Sequence, residues 1–271
     1  MILTIDCGNT NIVMGVFDAS TPHSEAEPVA QWRIPTKPLL SRPALLEAVS
    51  QHIKAHNLSE HLLFKGVVIA NVVPEYRDVL YDTAAELSQS EPVLLSTEQA
   101  KLPLEIDVIA PDEVGEDRLV NVAGLGRLHH QAVIIIDFGT ATTLDLVLPK
   151  SYDDGYPRYA GGIIAPGVHR SVDALVAAAA QLTAVPVEAF APDMQVLGKN
   201  TDQAMRSGIY WGYVSLISGL IDRLEDEQQQ PCIVIATGGL ASIFAPHIPK
   251  IAEIDRNLTL RGLYHIYQFN Q

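Results

Sequence analysis

The sequence is short of cysteine and bases, and it has no long apolar run; each shortage closes off a class of reading. Cysteine occurs twice in 271 residues, at Cys7 and Cys232. The two thiols stand far apart, each beside an apolar run, so they offer neither metal-ligand spacing nor a disulfide framework. They fit a reducing compartment, and a cytoplasmic protein is expected. Lys and Arg number 18 against 32 Asp and Glu, a net charge of −14 at pH 7. So acidic a chain lacks the basic footprint of a nucleic-acid binder. Phosphate ligands remain admissible, because a metal ion and backbone N–H groups neutralise phosphate locally. No apolar run approaches the ~20 residues of a membrane helix. The first one, Ile2–Ile5, stops at Asp6 and has no basic flank, so it reads as a strand and not as a signal peptide. No nucleic-acid or membrane partner is expected. A Walker A sequence is absent, and Gly124-Leu125-Gly126 lacks the third glycine of a dinucleotide fingerprint.

What is present suits a two-lobed α/β protein. Apolar residues make up 48% and charged residues 18%, enough for two cores. Ile2–Asp6, Ile12–Phe17 and Val29–Ile34 read as strands, Leu39–His56 as a helix with Leu45, Leu46, Val49 and Ile53 on one face, and Gly66–Ala70 as a strand before a helix begun by Pro74. The second half repeats the first. Val133–Ile136 followed by Asp137-Phe138-Gly139-Thr140 parallels Ile2–Ile5 followed by Asp6-Cys7-Gly8-Asn9, and Cys232–Ala236 echoes Val67–Ala70. This predicts an internal duplication, with lobes at 1–129 and 130–271. Asp153-Asp154-Gly155-Tyr156-Pro157 reads as a hairpin tip, and Ser171–Leu182, Thr201–Glu227 and Leu258–Phe269 as helices. His52 and His56, with His61 nearby, fit a solvated helix face better than a zinc site.

The paired Asp-x-Gly turns carry the most chemistry. A glycine after a strand lets backbone N–H groups approach phosphate oxygens, and the carboxylate two residues earlier can hold a cation. One such turn is an ordinary hairpin; two at equivalent places in repeated halves point to phosphate. Thr237-Gly238-Gly239 adds a strand–turn–helix, either a nucleotide cradle or close packing. Gly161–Gly167 reads as a glycine-rich turn before a helix, or as part of the site. Asp117 reads on sequence alone as a helix cap or a functional carboxylate, and Thr201 as an N-cap or a ligand contact.

Asp6-Cys7-Gly8-Asn9-Thr10-Asn11, Asn71-Val72-Val73-Pro74, Gly115-Glu116-Asp117-Arg118, Asp137-Phe138-Gly139-Thr140-Ala141-Thr142, Gly161–Gly167, Gly198-Lys199-Asn200-Thr201 and Thr237-Gly238-Gly239 follow one another along the chain. In that order they resemble the type III pantothenate kinases, within the acetate kinase, sugar kinase, Hsc70 and actin superfamily. The resemblance implies two duplicated ribonuclease H-like (actin-like ATPase) domains with an interdomain cleft, and a homodimer. It implies phosphorylation of pantothenate to 4′-phosphopantothenate, the first step of coenzyme A biosynthesis, with ATP, Mg²⁺ and a monovalent cation, K⁺ or NH₄⁺. It assigns Asp6, Cys7, Gly8, Asn9, Thr10, Asn11, Ile12, Val13 and Thr140 to ATP, and Asp6 to Mg²⁺ directly or through water. Asp137 is assigned to the monovalent cation. Gly115, Glu116, Asp117, Arg118 and Thr201 are assigned to pantothenate, with Asp117 as general base and Arg118 on the substrate carboxylate. Members of the family often carry a Tyr before the Gly-x-Asp-Arg motif, where this chain has Asp107-Val108-Ile109-Ala110-Pro111. The dimer seam is expected around Tyr210, Trp211 and Tyr213. A kinase of the same superfamily with another acceptor, or a nucleotide-binding regulator without turnover, are the competing readings.

Overall fold

The computed structural model describes residues 1–22, 26–59, 63–95, 100–125, 130–149, 156–179, 181–187 and 195–271. His61, Gly126, His129 and the expected hairpin tip at 153–155 lie outside the described residues. The chain divides into two compact units. One holds Met1–Leu128, Lys150–Tyr159 and Asn257–Gln271; the other holds His129–Pro149 and Ala160–Arg256.

The first unit opens with strands Ile2–Cys7 (β1), Asn11–Phe17 (β2) and Ala30–Pro35 (β3), followed by helix Arg42–Ala55 (α1). The apolar run before α1 stays outside it, because Pro43 sits in the first helical turn, where its missing N–H costs nothing. Strand Gly66–Asn71 (β4), helix Arg77–Leu87 (α2), strands Val93–Leu94 (β5) and Glu105–Ile106 (β6) and helix Glu116–Ala123 (α3) follow. Pro74 begins a single 3₁₀ turn, Pro74–Tyr76, ahead of α2. The sheet order is β3-β2-β1-β4-β5. β1 and β2 form an antiparallel hairpin, whereas β4 runs parallel to β1.

The second unit repeats this plan. Val133–Phe138 (β7) and Ala141–Leu148 (β8) form an antiparallel hairpin, and Arg158–Pro166 (β9) lies beside β8. Helices Val168–Ala178 (α4) and Thr201–Gln228 (α5) lead to Ile233–Thr237 (β10), which is parallel to β7. A single-turn helix, Ala241–Phe244 (α6), precedes Ile251–Ile254 (β11), and Leu258–Phe269 (α7) ends the chain in the first unit. Read from β9, the order β9-β8-β7-β10-β11 matches β3-β2-β1-β4-β5 strand for strand, as the internal repeat predicts.

Three expectations are corrected. The segment 161–166 does not make a turn: β9 continues through Pro166, with Gly161 at φ 112° supplying the only glycine-specific backbone in the strand. The helix after Thr237-Gly238-Gly239 has only four residues, too short to aim a dipole at a nucleotide. Tyr210 and Tyr213 are buried in the second unit's own core, where the Tyr210 hydroxyl contacts His247 Nδ1 at 2.9 Å. Trp211 packs beside them, its ring 4.5 Å from that of His247. Tyr210 and Tyr213 therefore serve the core, whereas Trp211 is only partly buried.

Strand alternation sets which residues reach which face. Leu3, Ile5 and Cys7 of β1 join Leu45, Val49, Ile53, Leu80 and Ala84 in one core, so Asp6 falls on the opposite face. That face is covered by α3 and α7, which cross each other at two glycines. A Cβ on Gly124 would stand 2.2 Å from the Leu258 carbonyl oxygen, and one on Gly262 2.0 Å from that of Val120. Backbone contact this close lets side chains bridge the pair. The Thr259 hydroxyl bonds Asn121 Oδ1 at 2.7 Å, Arg261 Nε donates to the Gly124 carbonyl at 3.1 Å, and His265 Nδ1 meets the Ala123 carbonyl at 2.9 Å. Thus α7 fixes α3 against the sheet. The stacked contact of Trp32 with His52, at 5.5 Å, accounts for the helix-face histidines as packing, and no cluster of three metal-ligating side chains occurs among the described residues.

Candidate active site

In the first unit the turn between β1 and β2 is closed by Gly8 N–H donating to the Asn11 carbonyl at 3.0 Å. Asn9 and Thr10 at its tip are exposed, and Asp6 and Gly8 are half-buried. Cys7 and Ile12 point into the core, so of the residues from Asp6 to Val13 these two offer a ligand only their backbone. Burial, aided by the Asp6 charge, pushes the Cys7 thiol up to about 12, which keeps it protonated and unreactive.

The turn is held from outside by a residue that sequence reasoning did not select. Thr36, fully buried just beyond β3, donates its hydroxyl to the Gly8 carbonyl at 2.7 Å and its N–H to the Thr10 carbonyl at 3.0 Å. Both carbonyls are thereby turned toward Thr36. A lone Thr after a strand carries no sequence signal; only the folded register brings it to the turn.

The Gly115-Glu116-Asp117-Arg118 motif lies at the start of α3 in the same unit. Gly115 is the residue before the helix and makes no side-chain cap. Asp117 sits inside the first turn, and its Oδ1 accepts the Arg118 N–H at 3.0 Å. A Cβ on Gly115 would approach that Oδ1 to 2.6 Å, so glycine there keeps room for the carboxylate. The Glu116 carboxylate turns inward and accepts the Asn71 N–H at 2.9 Å. Burial raises its pKa; the Asn71 N–H opposes the rise, the Asp117 charge adds to it and the Arg77 charge opposes it.

Arg118 places its guanidinium carbon 5.5 Å from the centroid of the Tyr159 ring, a cation–π geometry. Tyr159 lies on β9, opposite Ile106 of β6, and its carbonyl accepts the Asp107 N–H at 2.9 Å. An aromatic ring therefore stands beside the 105–107 segment although the segment itself carries none. An open cleft of ≈ 940 Å³ on the first unit, bordered by Arg77, Asp82, Glu91 and Asn270, includes none of the sequence-selected residues.

In the second unit Asp137 is half-buried and Gly139 and Thr140 are exposed at the β7–β8 turn. Two glycines from elsewhere press on this turn. Gly238, at φ 89°, would put a Cβ 2.5 Å from Asp137 Oδ1, and Gly167 would put one 2.1 Å from the Thr140 carbonyl oxygen. The glycine clusters thus act as close-approach points around the second Asp-x-Gly turn. Thr201 is the first residue of α5 and is exposed; the cap is its neighbour Asn200, whose Oδ1 accepts the Gln203 N–H at 2.8 Å. The cap alternative for Thr201 is thereby excluded.

With this geometry established, comparisons with known proteins identify its relatives. A family profile described as type III pantothenate kinase matches residues 2–223. A type III pantothenate kinase of Zymomonas mobilis subsp. mobilis is 40% identical over 268 residues, covering 99% of this chain and 92% of the relative. One of Paramagnetospirillum magneticum is 40% identical over 270 residues, covering 100% and 98%. Among solved structures, a glucokinase from an Antarctic psychrotroph superposes with a TM-score of 0.53 at 9% identity, covering 100% of this chain and 99% of the other. That last likeness establishes the duplicated actin-like ATPase fold and nothing further.

Proposed function

The chain belongs to the type III pantothenate kinase family, and we propose that it transfers a phosphoryl group from ATP to the primary hydroxyl of pantothenate, giving 4′-phosphopantothenate and ADP. One observation carries the residue assignment. β1 pairs in parallel with β4 so that Cys7 stands beside Asn71, and Asn71 is bonded to Glu116 at the start of α3. The phosphate turn and the acceptor motif therefore belong to adjacent strand ends of one sheet.

The roles follow from chemistry. Backbone N–H groups of the turn from Gly8 to Asn11, with the Asn9 and Thr10 side chains, are suited to phosphate oxygens, and Thr140 of the second unit supplies a further hydroxyl. Asp6 offers a hard oxygen donor for Mg²⁺, directly or through water; the ion, when bound, neutralises phosphate charge. Arg118, held over the Tyr159 ring, pairs with the pantothenate carboxylate through its planar fork. Thr201, exposed at the start of α5, offers a hydroxyl suited to pantothenate. Asp117 orients the attacking hydroxyl and accepts its proton as the new O–P bond forms and the bond from phosphorus to ADP breaks. Loss of turnover, as a regulator would show, finds no support, since Asp6, Asp117, Arg118 and Asp137 are all present. Acceptor choice within the superfamily rests on Arg118 and Thr201. The two free cysteines support a cytoplasmic setting; no helix among the described residues is long and apolar enough to cross a membrane.

Asp117→Asn tests the base directly. Asn keeps the size of the side chain and an oxygen for the Arg118 N–H but cannot take the proton, so kcat should fall by about 10²–10⁴-fold with ATP binding and melting temperature retained. Arg118→Lys should instead raise KM for pantothenate more than it lowers kcat. Near-normal turnover of the Asn variant would remove Asp117 from the catalytic role.

Asp137 fits a monovalent cation: its carboxylate is half-buried and lies in a cradle that a side chain at residue 238 would fill. Exchanging K⁺ for Na⁺ at constant ionic strength should lower the rate sharply in the parent and little in Asp137→Asn. Equal parent rates in the two salts would count against the assignment.

The family's homodimer has a surface to use on α5. Ala204, Gly208, Gly212 and Leu216 are spaced along one side of the helix; Gly208, Gly212 and Leu216 are exposed on it, and a Cβ at Gly208, Gly212 or Gly219 would meet no heavy atom within 4 Å. Such a small-residue face lets a second helix approach closely. Light scattering at micromolar concentration should give twice the 29.4 kDa chain mass, and Gly212→Arg should reduce it to one. A fully active monomeric parent would sink this reading.

A further inference from the structure

Glu116 stands inside the acceptor motif, yet its side chain is used inward. We propose that Glu116 is a positioning residue: by accepting the Asn71 N–H, its carboxylate locks the start of α3, and with it Asp117 and Arg118, to the end of β4. The inference rests on the pantothenate kinase reading of this site and adds a role to a residue otherwise counted as a substrate contact.

Asn71 is where a brace has most effect. It is the last residue of β4 and stands opposite Cys7, the residue before the phosphate glycine. Beyond it the chain turns sharply. Asn71 Oδ1 accepts the Val73 N–H at 3.0 Å, Asn71 Nδ2 donates to the Val73 carbonyl at 2.9 Å, and the Val72 N–H donates to the Cys7 carbonyl at 3.1 Å. The side chain of Asn71 is thus committed to its own turn, and its N–H is met by Glu116 Oε2 at 2.9 Å. A half-buried amide deprived of that partner would be costly to leave unpaired, so the contact holds the first turn of α3 in register with the strand. Farther along, α7 grips the same helix at Asn121, Ala123 and Gly124. The helix is therefore clamped at its back by α7 and tied at its front to β4 by Glu116.

A Glu in a first helical turn can also serve only to complement the helix dipole, a role that Asp fills equally well. The two accounts separate on reach against charge. Charged groups facing the Glu116 carboxylate are Asp117 on its own helix and Arg77 on α2. Either protonation state of the carboxyl keeps an acceptor oxygen, so the brace needs length and an acceptor, not a charge.

Glu116→Gln retains length and acceptor and loses the charge; Glu116→Asp retains the charge and is one methylene short. We expect Glu116→Gln to keep the parent's hydrogen exchange at the Asn71 turn, because the acceptor of the Asn71 N–H remains, and to raise KM for pantothenate less than Glu116→Asp does. Glu116→Asp should raise KM for pantothenate about ten-fold or more, the cost of leaving the Asn71 N–H without its acceptor. Its KM for ATP should hold, because the phosphate turn is fixed separately by Thr36. In parallel, hydrogen exchange across residues 71–73 should quicken in Glu116→Asp and not in Glu116→Gln. This second readout needs no substrate. If the parent fails to turn over pantothenate, the functional reading falls, and exchange alone decides the brace. The inference is overturned if Glu116→Asp leaves either exchange or the pantothenate KM unchanged, or if Glu116→Gln is impaired as much as Glu116→Asp.

Discussion

The parallel pairing of β1 with β4 is the constraint on which the chemistry of the first unit depends. Antiparallel β1 and β2 can form from a short turn, but a parallel neighbour needs a crossover. Here the crossover carries β3 and α1, and it brings Asn71 beside Cys7 at the same end of the sheet. The first unit's phosphate turn and acceptor motif then collect at that end. The Asp6 turn is held by Thr36 just beyond β3, and α3 is held by Glu116 at its first turn and by α7 across its back. If β4 paired elsewhere, the acceptor motif would have no fixed relation to the phosphate turn, whatever its sequence.

The second unit uses the same strand plan with different supports. Its Asp-x-Gly turn is buttressed by close backbone approach, with Gly238 against Asp137 and Gly167 against Thr140. The first turn is instead tied by a hydroxyl. The two turns thus reach rigidity by different routes, one through the hydroxyl and N–H of Thr36 and the other through backbone approach at glycines. Phosphoryl transfer needs mainly positioning and charge neutralisation, so rigid backbone at both places matters more than any single reactive group.

Much of this was legible in the sequence, for identifiable reasons. The Asp-x-Gly turns and the repeated strands were visible because strands of this kind are continuous apolar runs and their turns need glycine. The helix Leu258–Phe269 was readable to the residue, but its service to α3 was not, since tertiary contacts leave no local pattern. Gly161–Gly167 misled because glycine in a strand imitates a turn; the φ of Gly161 and the contact of Gly167 with Thr140 account for it. Tyr210 and Tyr213 looked like interface aromatics and proved to be core, because α5 is apolar on several sides and its sequence does not reveal which side meets the sheet. Thr36 and Tyr159 were invisible as site neighbours: each acquires its role only from the strand beside it.

The central claim is that this arrangement phosphorylates pantothenate. It is tested most directly by incubating the purified full chain with ATP, Mg²⁺, K⁺ and pantothenate and following both products by ³¹P NMR. The account predicts a phosphomonoester resonance of 4′-phosphopantothenate growing in step with ADP, and neither signal rising appreciably when pantothenate is left out. ADP released with inorganic phosphate at the same rate with or without pantothenate, or no turnover under these conditions, would contradict it.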